Sequence, residues 1–425
     1  MKRIALLAGL VLGMAAPVVA QSPERCRIQF STSGSGGFVS SAAGETRWAS
    51  GGVRLGCVGQ RVTVTTDSAI VYPGGDVDFV GRVRYSDTTV TIAATRATFR
   101  RATETWEARG DVAIRNLETG STVRGPAVDY LRAAAGVRDS AEVYATGRPR
   151  VDYFDTDSVA SAGDTREPYK IVADRLRSRG KSLVWAGGRV TVDRSDLSAH
   201  GDSMRLDTGT RDDGSLLGGK PEFRGLGADS FLVRGARIDF TLEDRAVSGV
   251  LAQVDAHVER KDWTLDADTI ALAVHDRAVQ QINAWGTQAT GASSRYALRG
   301  DSVVIETPAQ QLRKLQSFGD GWVAGAVDSA TGERSWLAGD TVLALFQAAD
   351  SADTAATRLA RLEAHAGARS YQQVAPAKPG EKAGLSYVRA SDIVIFMKPE
   401  GSEEVQRVEA RGAVQGVQLD PADGG

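Results

Sequence analysis

One short pattern recurs along this chain and limits what the chain can fold into. It runs apolar residue, two spacers, apolar residue, spacer, small residue, spacer, glycine, spacer, valine. Repetition at a loose period of roughly 30–45 residues predicts an array in which each unit buries itself against its neighbours. The copies are Val405, Val408, Ala410, Gly412 and Val414; Val279, Ile282, Ala284 and Gly286; Leu312, Leu315, Ser317 and Gly319; and the weaker Val247, Val250, Ala252 and Leu359, Leu362, Ala364.

A second version of the pattern begins with tryptophan. Its copies are Trp106, Ala108, Gly110 and Val112; Trp185, Ala186, Gly188 and Val190; and Trp48, Gly51 and Val53. The glycines of both versions are predicted to mark the beginnings of strands. A further landmark is an aspartate followed by an alternating apolar strand, and we expect these aspartates at turns or on the outer face, where Asp is favoured for local hydrogen bonding.

Apolar and polar residues alternate over many short stretches. In Arg61–Thr66, Val62 and Val64 share one face while Thr63 and Thr65 share the other. Period-two patterning is typical of antiparallel strands with one dry and one wet face. Thr354–Ala364 has a helix-like apolar spacing, yet it matches the repeat, so we predict a strand there. The sequence therefore predicts an all-β fold with very little helix.

We divide the sequence into a signal peptide at 1–20, an N-terminal entry segment at 21–50, a continuous repeat array at 51–419 and a short polar tail at 420–425. Within the entry segment, Ser31–Ser50 is rich in Ser, Gly and Ala, which predicts a loop or irregular chain. Lys2 and Arg3 precede an apolar run, and small residues end it, so we expect cleavage after Ala20 and export to the periplasm, with outer-membrane association left open. An uncleaved anchor is the alternative, but the run is short for a spanning helix.

Two cysteines, Cys26 and Cys57, lie near the start of the exported chain. In an oxidising compartment two such cysteines usually pair, which favours a disulfide; two buried free thiols are the alternative. No histidine or further cysteine lies near them in the sequence, which argues against a metal site.

Charge and composition exclude some functions. The formal net charge of −2 argues against a general nucleic-acid binder, which needs a basic surface. Arginine greatly outnumbers lysine. Codon bias is the plainer explanation of this excess of arginine, and a set of arginines that faces phosphate groups is the alternative.

No motif in the sequence indicates an enzyme. The four histidines, His200, His257, His275 and His365, have no metal-ligand spacing. There is no nucleophile elbow, P-loop or dinucleotide-binding fingerprint. Asp266 and Asp268 stand two apart on one predicted strand, but most units place an aspartate there, so we interpret them as structural. We predict no catalytic residues, no metal and no cofactor.

The repeated frame and the aspartate-led strands, from about Trp48 to Gln418, resemble the OstA-like, LptA-type β-jellyroll family of lipopolysaccharide transport. That family includes LptA, the periplasmic part of LptC and the N-terminal domain of LptD. The resemblance implies an elongated, incompletely closed antiparallel jellyroll, or β-taco, whose apolar groove shields acyl chains. It also implies partners of the same fold that pair end to end through edge strands. This chain is well over the length of the usual bridge protein.

Two functions are therefore expected from the sequence. The favoured one is a periplasmic lipid-binding bridge or scaffold in lipopolysaccharide transport; the alternative is a secreted structural or adhesive β-solenoid with a solid core and no ligand. A groove would be lined by the alternating apolar residues that follow the aspartate landmarks. These candidates are Ile70, Tyr72, Leu176, Met204, Leu206, Ile238, Phe240, Ile270, Leu272, Val303, Ile305, Val394 and Phe396.

Overall fold

The protein is described here by a computed structural model. The described residues are 28–57, 61–154, 167–226, 230–243, 246–261, 263–328, 331–348, 357–374, 381–382, 384–398, 405–419 and 422–423. The predicted signal peptide lies outside them. So does the predicted disulfide, because Cys26 precedes Ile28 and only the backbone of Cys57 is described.

Strands make up nearly all of the described chain, which confirms the predicted all-β class. The only helical element in the described ranges is a 3-10 turn at Pro308–Gln310. The first sixteen strands are β1 (Ile28–Thr32), β2 (Gly36–Ser41), β3 (Gly44–Cys57), β4 (Thr63–Val71), β5 (Val77–Ser86), β6 (Val90–Arg100), β7 (Thr105–Asn116), β8 (Thr122–Leu131), β9 (Glu142–Thr146), β10 (Arg150–Tyr153), β11 (Tyr169–Val172), β12 (Arg175–Arg179), β13 (Leu183–Arg194), β14 (Leu197–Asp207), β15 (Asp213–Leu217) and β16 (Glu222–Gly225).

The remaining strands continue the same pattern toward the C-terminus. They are β17 (Phe231–Arg234), β18 (Arg237–Glu243), β19 (Ala246–Arg260), β20 (Trp263–His275), β21 (Ala278–Ser293), β22 (Ala297–Glu306), β23 (Lys314–Val327), β24 (Arg334–Ala348), β25 (Thr357–His365), β26 (Arg369–Val374), β27 (Glu381–Lys382), β28 (Gly384–Arg389), β29 (Asp392–Met397), β30 (Val405–Arg411), β31 (Gln415–Leu419) and β32 (Ala422–Asp423).

The strands form one 30-stranded sheet, and β27 pairs separately with β32. The pairing is antiparallel, and most long strands lie beside the strands next to them in sequence. Each long strand bends near its middle, where the pairing register shifts. In β5 the shift lies between Val80 and Val83, and in β13 it lies between Gly187 and Val190.

A corner built from left-handed backbone makes each bend. Gly81 and Arg82 in β5 have φ of 82° and 45°, and Gly188 and Arg189 in β13 have φ of 79° and 46°. Glycine adopts this conformation without the steric penalty that a Cβ brings. On the neighbouring strand an acidic side chain faces the glycine: Asp67 lies opposite Gly81. The predicted glycine and aspartate landmarks are therefore the two sides of one corner.

The corners fold the sheet into two arms that face each other. In β5, Val83–Ser86 belongs to arm A and Val77–Val80 to arm B, and the other long strands divide in the same way at their register shifts. Rings meet between the arms, since Tyr85 of arm A lies with its centroid 4.3 Å from that of Trp106 of arm B. One continuous cluster of buried apolar residues fills the interior.

The repeated frame is the inward face of an arm-B segment leading into a corner. In β21, Val279, Ile282 and Ala284 are buried and Gly286 follows at the bend. The prediction that these glycines begin strands was wrong, because they lie at mid-strand corners. Of the tryptophans, Trp106 is buried, whereas Trp48 is exposed on the outer face.

Ser31–Ser50, in the entry segment at 21–50, was predicted to be a loop or irregular chain, and that prediction is wrong for this segment. From Ile28 onward it forms β1, β2 and most of β3. These strands lie at the edge of the sheet and carry many Ser and Gly, so their alternation is weak in the sequence. The strand predicted over Thr354–Ala364 is confirmed by β25.

Val254 offers a test of the corner, because it occupies the glycine position of a weaker copy of the frame. Its φ is 62° and its side chain is 60% exposed. A left-handed conformation costs a residue with a Cβ roughly 1–2 kcal/mol. We expect Val254→Gly to raise the free energy of unfolding by about 1 kcal/mol in denaturant titrations.

Val80→Gly is the control, since Val80 is also exposed and lies just before a corner, but its own φ is not left-handed. There the loss of a Cβ should lower stability by roughly 0.5–1 kcal/mol. If the two substitutions changed the free energy of unfolding equally, the left-handed backbone at Val254 would not be a source of strain.

The pairing also predicts the shape of the molecule. About twenty strand segments in each arm, spaced about 4.8 Å apart, give a body about 100 Å long. Small-angle scattering should therefore yield a radius of gyration well above the roughly 22 Å of a compact globule of this length. A value near 22 Å would contradict the extended pairing.

Candidate functional site

The interior between the arms is the candidate site, and most of the predicted groove residues line it. Ile238, Ile270 and Val303 are fully buried, and Phe240 packs against the buried cluster from a half-buried position. The other inward members are Leu176, Met204, Leu206, Leu272 and Ile305.

Four predicted groove residues lie on the outer face instead: Ile70, Tyr72, Val394 and Phe396. Ile70 and Tyr72 are 37% and 39% exposed, whereas the smaller Ala69 beside them is buried. Phe396 lies beneath the guanidinium groups of Arg361 and Arg407. For these residues the predicted inward orientation was wrong.

The corner explains these four errors. Inward residues stand two and four positions after the residue that faces the corner glycine. In β4 that residue is Asp67, so Ala69 and Val71 point inward. In β29 it is Ser391, which faces Gly412, rather than Asp392; Ile393 and Ile395 are the buried pair.

Two cavities remain between the arms. The larger, about 630 Å³, lies among β5–β13 and has apolar walls that include Val143, Val151 and Leu176. The charged residues in its lining are Arg61, Asp87, Glu118, Arg132, Asp139 and Lys181, of which Lys181 pairs with Glu118. The second, about 470 Å³, lies toward the C-terminal end between arm-A residues such as Leu337 and arm-B residues such as Leu362 and Met397.

Polar contacts connect the free ends of the arms, opposite the corners, in an opening that we call the mouth. Asp87, in the turn after β5, accepts a hydrogen bond from the Tyr85 hydroxyl at 2.7 Å and lies 3.8 Å from Arg132 of arm B. Arg132 also pairs with Glu104 at 3.1 Å. We call Tyr85, Asp87, Glu104 and Arg132 the Asp87 cluster; it joins the arms beside the larger cavity.

The Asp87 carboxylate is held in its charged form. Burial alone raises its pKa, but hydrogen bonds from the Tyr85 hydroxyl, the backbone N–H groups of Val90 and Thr89 and the Thr89 hydroxyl outweigh burial and leave the pKa below its ordinary value. Burial also raises the pKa of Tyr85, which keeps its hydroxyl protonated as a donor.

Further contacts cross the mouth along its length. The Tyr153 hydroxyl of arm A lies 2.7 Å from the Thr208 hydroxyl of arm B and donates to the Lys181 carbonyl at 3.0 Å. Nearer the C-terminus, the rings of Tyr296 and Phe346 meet edge to face at 5.9 Å. The mouth is therefore bridged at intervals and is not a continuous open slot.

Sequence reasoning missed the residues at the mouth. Asp87 follows a strand in a typical turn sequence, so the turn is readable, but its partner Arg132 lies 45 residues further along and the pairing depends on how the arms meet. Among the described residues, no group of three or more His, Cys, Asp and Glu side chains is placed to hold a metal. No helix in the described part of the chain is long and apolar enough to cross a membrane.

The sequence matches no protein-family profile and no curated protein.

We expect Asp87→Asn to lower the free energy of unfolding at neutral pH by about 1–3 kcal/mol, because it leaves Arg132 and buried donors poorly satisfied. Since the folded-state pKa of Asp87 is depressed, its contribution is present above the ordinary carboxyl pKa and is lost as pH falls through the folded value. The gap between wild type and variant should therefore close below about pH 4.

Glu45→Gln provides the comparison, because Glu45 pairs with Arg47 in an exposed position. Such pairs contribute about 0–1 kcal/mol. Thermal or denaturant unfolding from pH 3 to pH 8 measures both variants. A pH-independent effect of Asp87→Asn would rule out the carboxylate as the cause.

Proposed function

We propose that this protein binds the hydrocarbon chains of a lipid between its arms, as a periplasmic bridge or scaffold in the transport of lipopolysaccharide or a related lipid. One observation carries the proposal: an apolar interior that runs through the sheet and holds two unfilled cavities. The resemblance of the repeats to the OstA-like family supports the choice of lipid, and non-enzymatic action goes with it.

Elementary energetics favours such a ligand. Each CH₂ group moved from water to an apolar environment contributes about 0.8 kcal/mol. The rim of the larger cavity carries Arg61, Lys181 and Asp139, which leaves a charged headgroup in a polar surrounding while its chains enter the interior. Entry between the arms would require the contacts at the mouth to separate or a chain to enter from an end.

The ends of the sheet support end-to-end assembly. Within the described residues β30 pairs only with β29, and β31 only with β28. Val408 and Val417 on these strands are exposed. Unpaired edges add strands readily, so we propose pairing with another jellyroll at this end. β1 and β2, each paired only with β3 in the described chain, form the corresponding edge at the other end.

A structural scaffold with a solid core is the second candidate. It is favoured by the packing itself, since inward residues such as Ile270 and Val303 are already fully buried by the protein's own side chains. In that case the two cavities are packing defects and the surfaces at the ends are the functional ones.

Lipid capture separates the two candidates. We expect protein purified from cells to carry lipid detectable by mass spectrometry, and stripped protein to bind labelled lipopolysaccharide and palmitate. Val143→Phe, which fills the larger cavity, should reduce binding severalfold. Val172→Phe adds the same volume on the outer side of β11 and should leave binding unchanged. Absence of lipid together with no binding of either probe would favour the solid scaffold.

A further inference from the structure

A second concave surface lies on the outside of arm A, behind the interior. It spans β4 to β8 and has a volume of about 540 Å³. Its floor is formed around Ala93 and Ala113, which lie directly opposite each other on β6 and β7. Arg84, Arg115 and Arg124 stand around this floor, and we call the surface the arginine saddle.

The strand register explains the shape. Arg84, Ala93, Ala113 and Arg124 lie in one row across four adjacent strands. At about 4.8 Å per strand, the backbones of Arg84 and Arg124 stand roughly 14 Å apart with only methyl side chains between them. Arg115 lies in the next row. Hydroxyl groups complete the lining, from Thr63, Thr65, Ser86, Thr91 and Thr122.

The positive charge of the saddle is only partly compensated. None of its lining residues is acidic. Arg84 and Arg115 form no ion pair with a described residue, whereas Arg109 on the same strand as Arg115 pairs with Asp129. Arg124 pairs with Asp152 at 3.0 Å, and that carboxylate also accepts a hydrogen bond from Thr122.

A further arginine adds to this charge at the margin. Arg150 on β10 lies directly opposite Arg124 on β8. Like charges directly opposite each other on neighbouring strands destabilise a sheet. On a chain with a net charge of −2, such a local excess of cations attracts anions.

We propose that the arginine saddle binds a small soluble sugar or polyol that carries at least two phosphate esters. Guanidinium groups bind phosphate through paired, charge-assisted hydrogen bonds. Separated arginines suit separated phosphates, and the hydroxyl lining suits the hydroxyls of a polyol. The volume lies in the range of small-molecule sites. A flat membrane surface would not reach the alanines at the bottom of this concavity, because the surrounding arginines stand above them.

This site is independent of the lipid proposal, because alternate residues of a strand face opposite sides of the sheet. Tyr85 and Ile114 point into the interior, and Arg84 and Arg115 beside them point outward. Loss of one activity therefore leaves the other measurable.

Isothermal titration of the whole protein at low salt tests the proposal, with fructose 1,6-bisphosphate, inorganic phosphate and glucose as probes. We expect saturable binding of the bisphosphate, about tenfold or more tighter than inorganic phosphate, and none of glucose. Arg84→Gln and Arg115→Gln should each weaken the bisphosphate about tenfold without changing the unfolding temperature. Added salt should weaken binding, because these charges are exposed.

Arg109→Gln is the matched control, since it removes the same charge from the same strand beyond the corner. It should leave bisphosphate binding unchanged. An equal loss in Arg109→Gln and Arg115→Gln would overturn the site, as would binding that does not saturate. Binding to phosphatidylglycerol vesicles that Arg115→Gln abolishes, without bisphosphate binding, would assign the saddle to a membrane surface and overturn the proposal.

Discussion

Two consecutive left-handed residues at the middle of a strand are the constraint on which the rest of this structure depends. A sheet with one apolar face must cover that face with a second layer. Here the corner supplies the layer, because it folds each long strand back so that its own halves enclose the apolar face. Gly319 and Asp320, with φ of 68° and 48°, make one such corner, and Asp301 of the preceding strand closes it.

The two strands that meet at a corner contribute different numbers of residues to it. This difference determines whether the alternation of buried and exposed residues continues across the bend. The glycine strand takes one extra residue, as in other β-bulges. Its inward positions therefore step by four across the bend, from Phe79 to Val83 in β5, and alternation keeps its phase. On the acidic strand they step by three, from Thr66 to Ala69 in β4, and the phase reverses.

This asymmetry separates what the sequence could predict from what it could not. The all-β class, the repeat and residues such as Met204, Ile270 and Val303 follow from local alternation after a correctly placed aspartate. In β29 the prediction took Asp392 as the residue that faces the corner, whereas the structure has Ser391 there. That error of one residue assigned the side chains that follow to the wrong face of the strand. The contacts at the mouth could not be predicted, because they depend on how far the arms approach each other.

On the outer face several arginines are neutralised by a carboxylate two residues away on the same strand, and Arg84 and Arg115 of the arginine saddle are not. Residues two apart on a strand share a face, and the chain uses this spacing to neutralise arginine: Arg237 pairs with Asp239 at 2.7 Å, and Arg224 with Glu222. In the saddle, Ala93 lies directly opposite Arg84, where a carboxylate would neutralise it, whereas Arg124 is paired with Asp152 on the strand at its other side. Ala93 thus leaves Arg84 without a partner, and together with Ala113 it opens the space above the sheet.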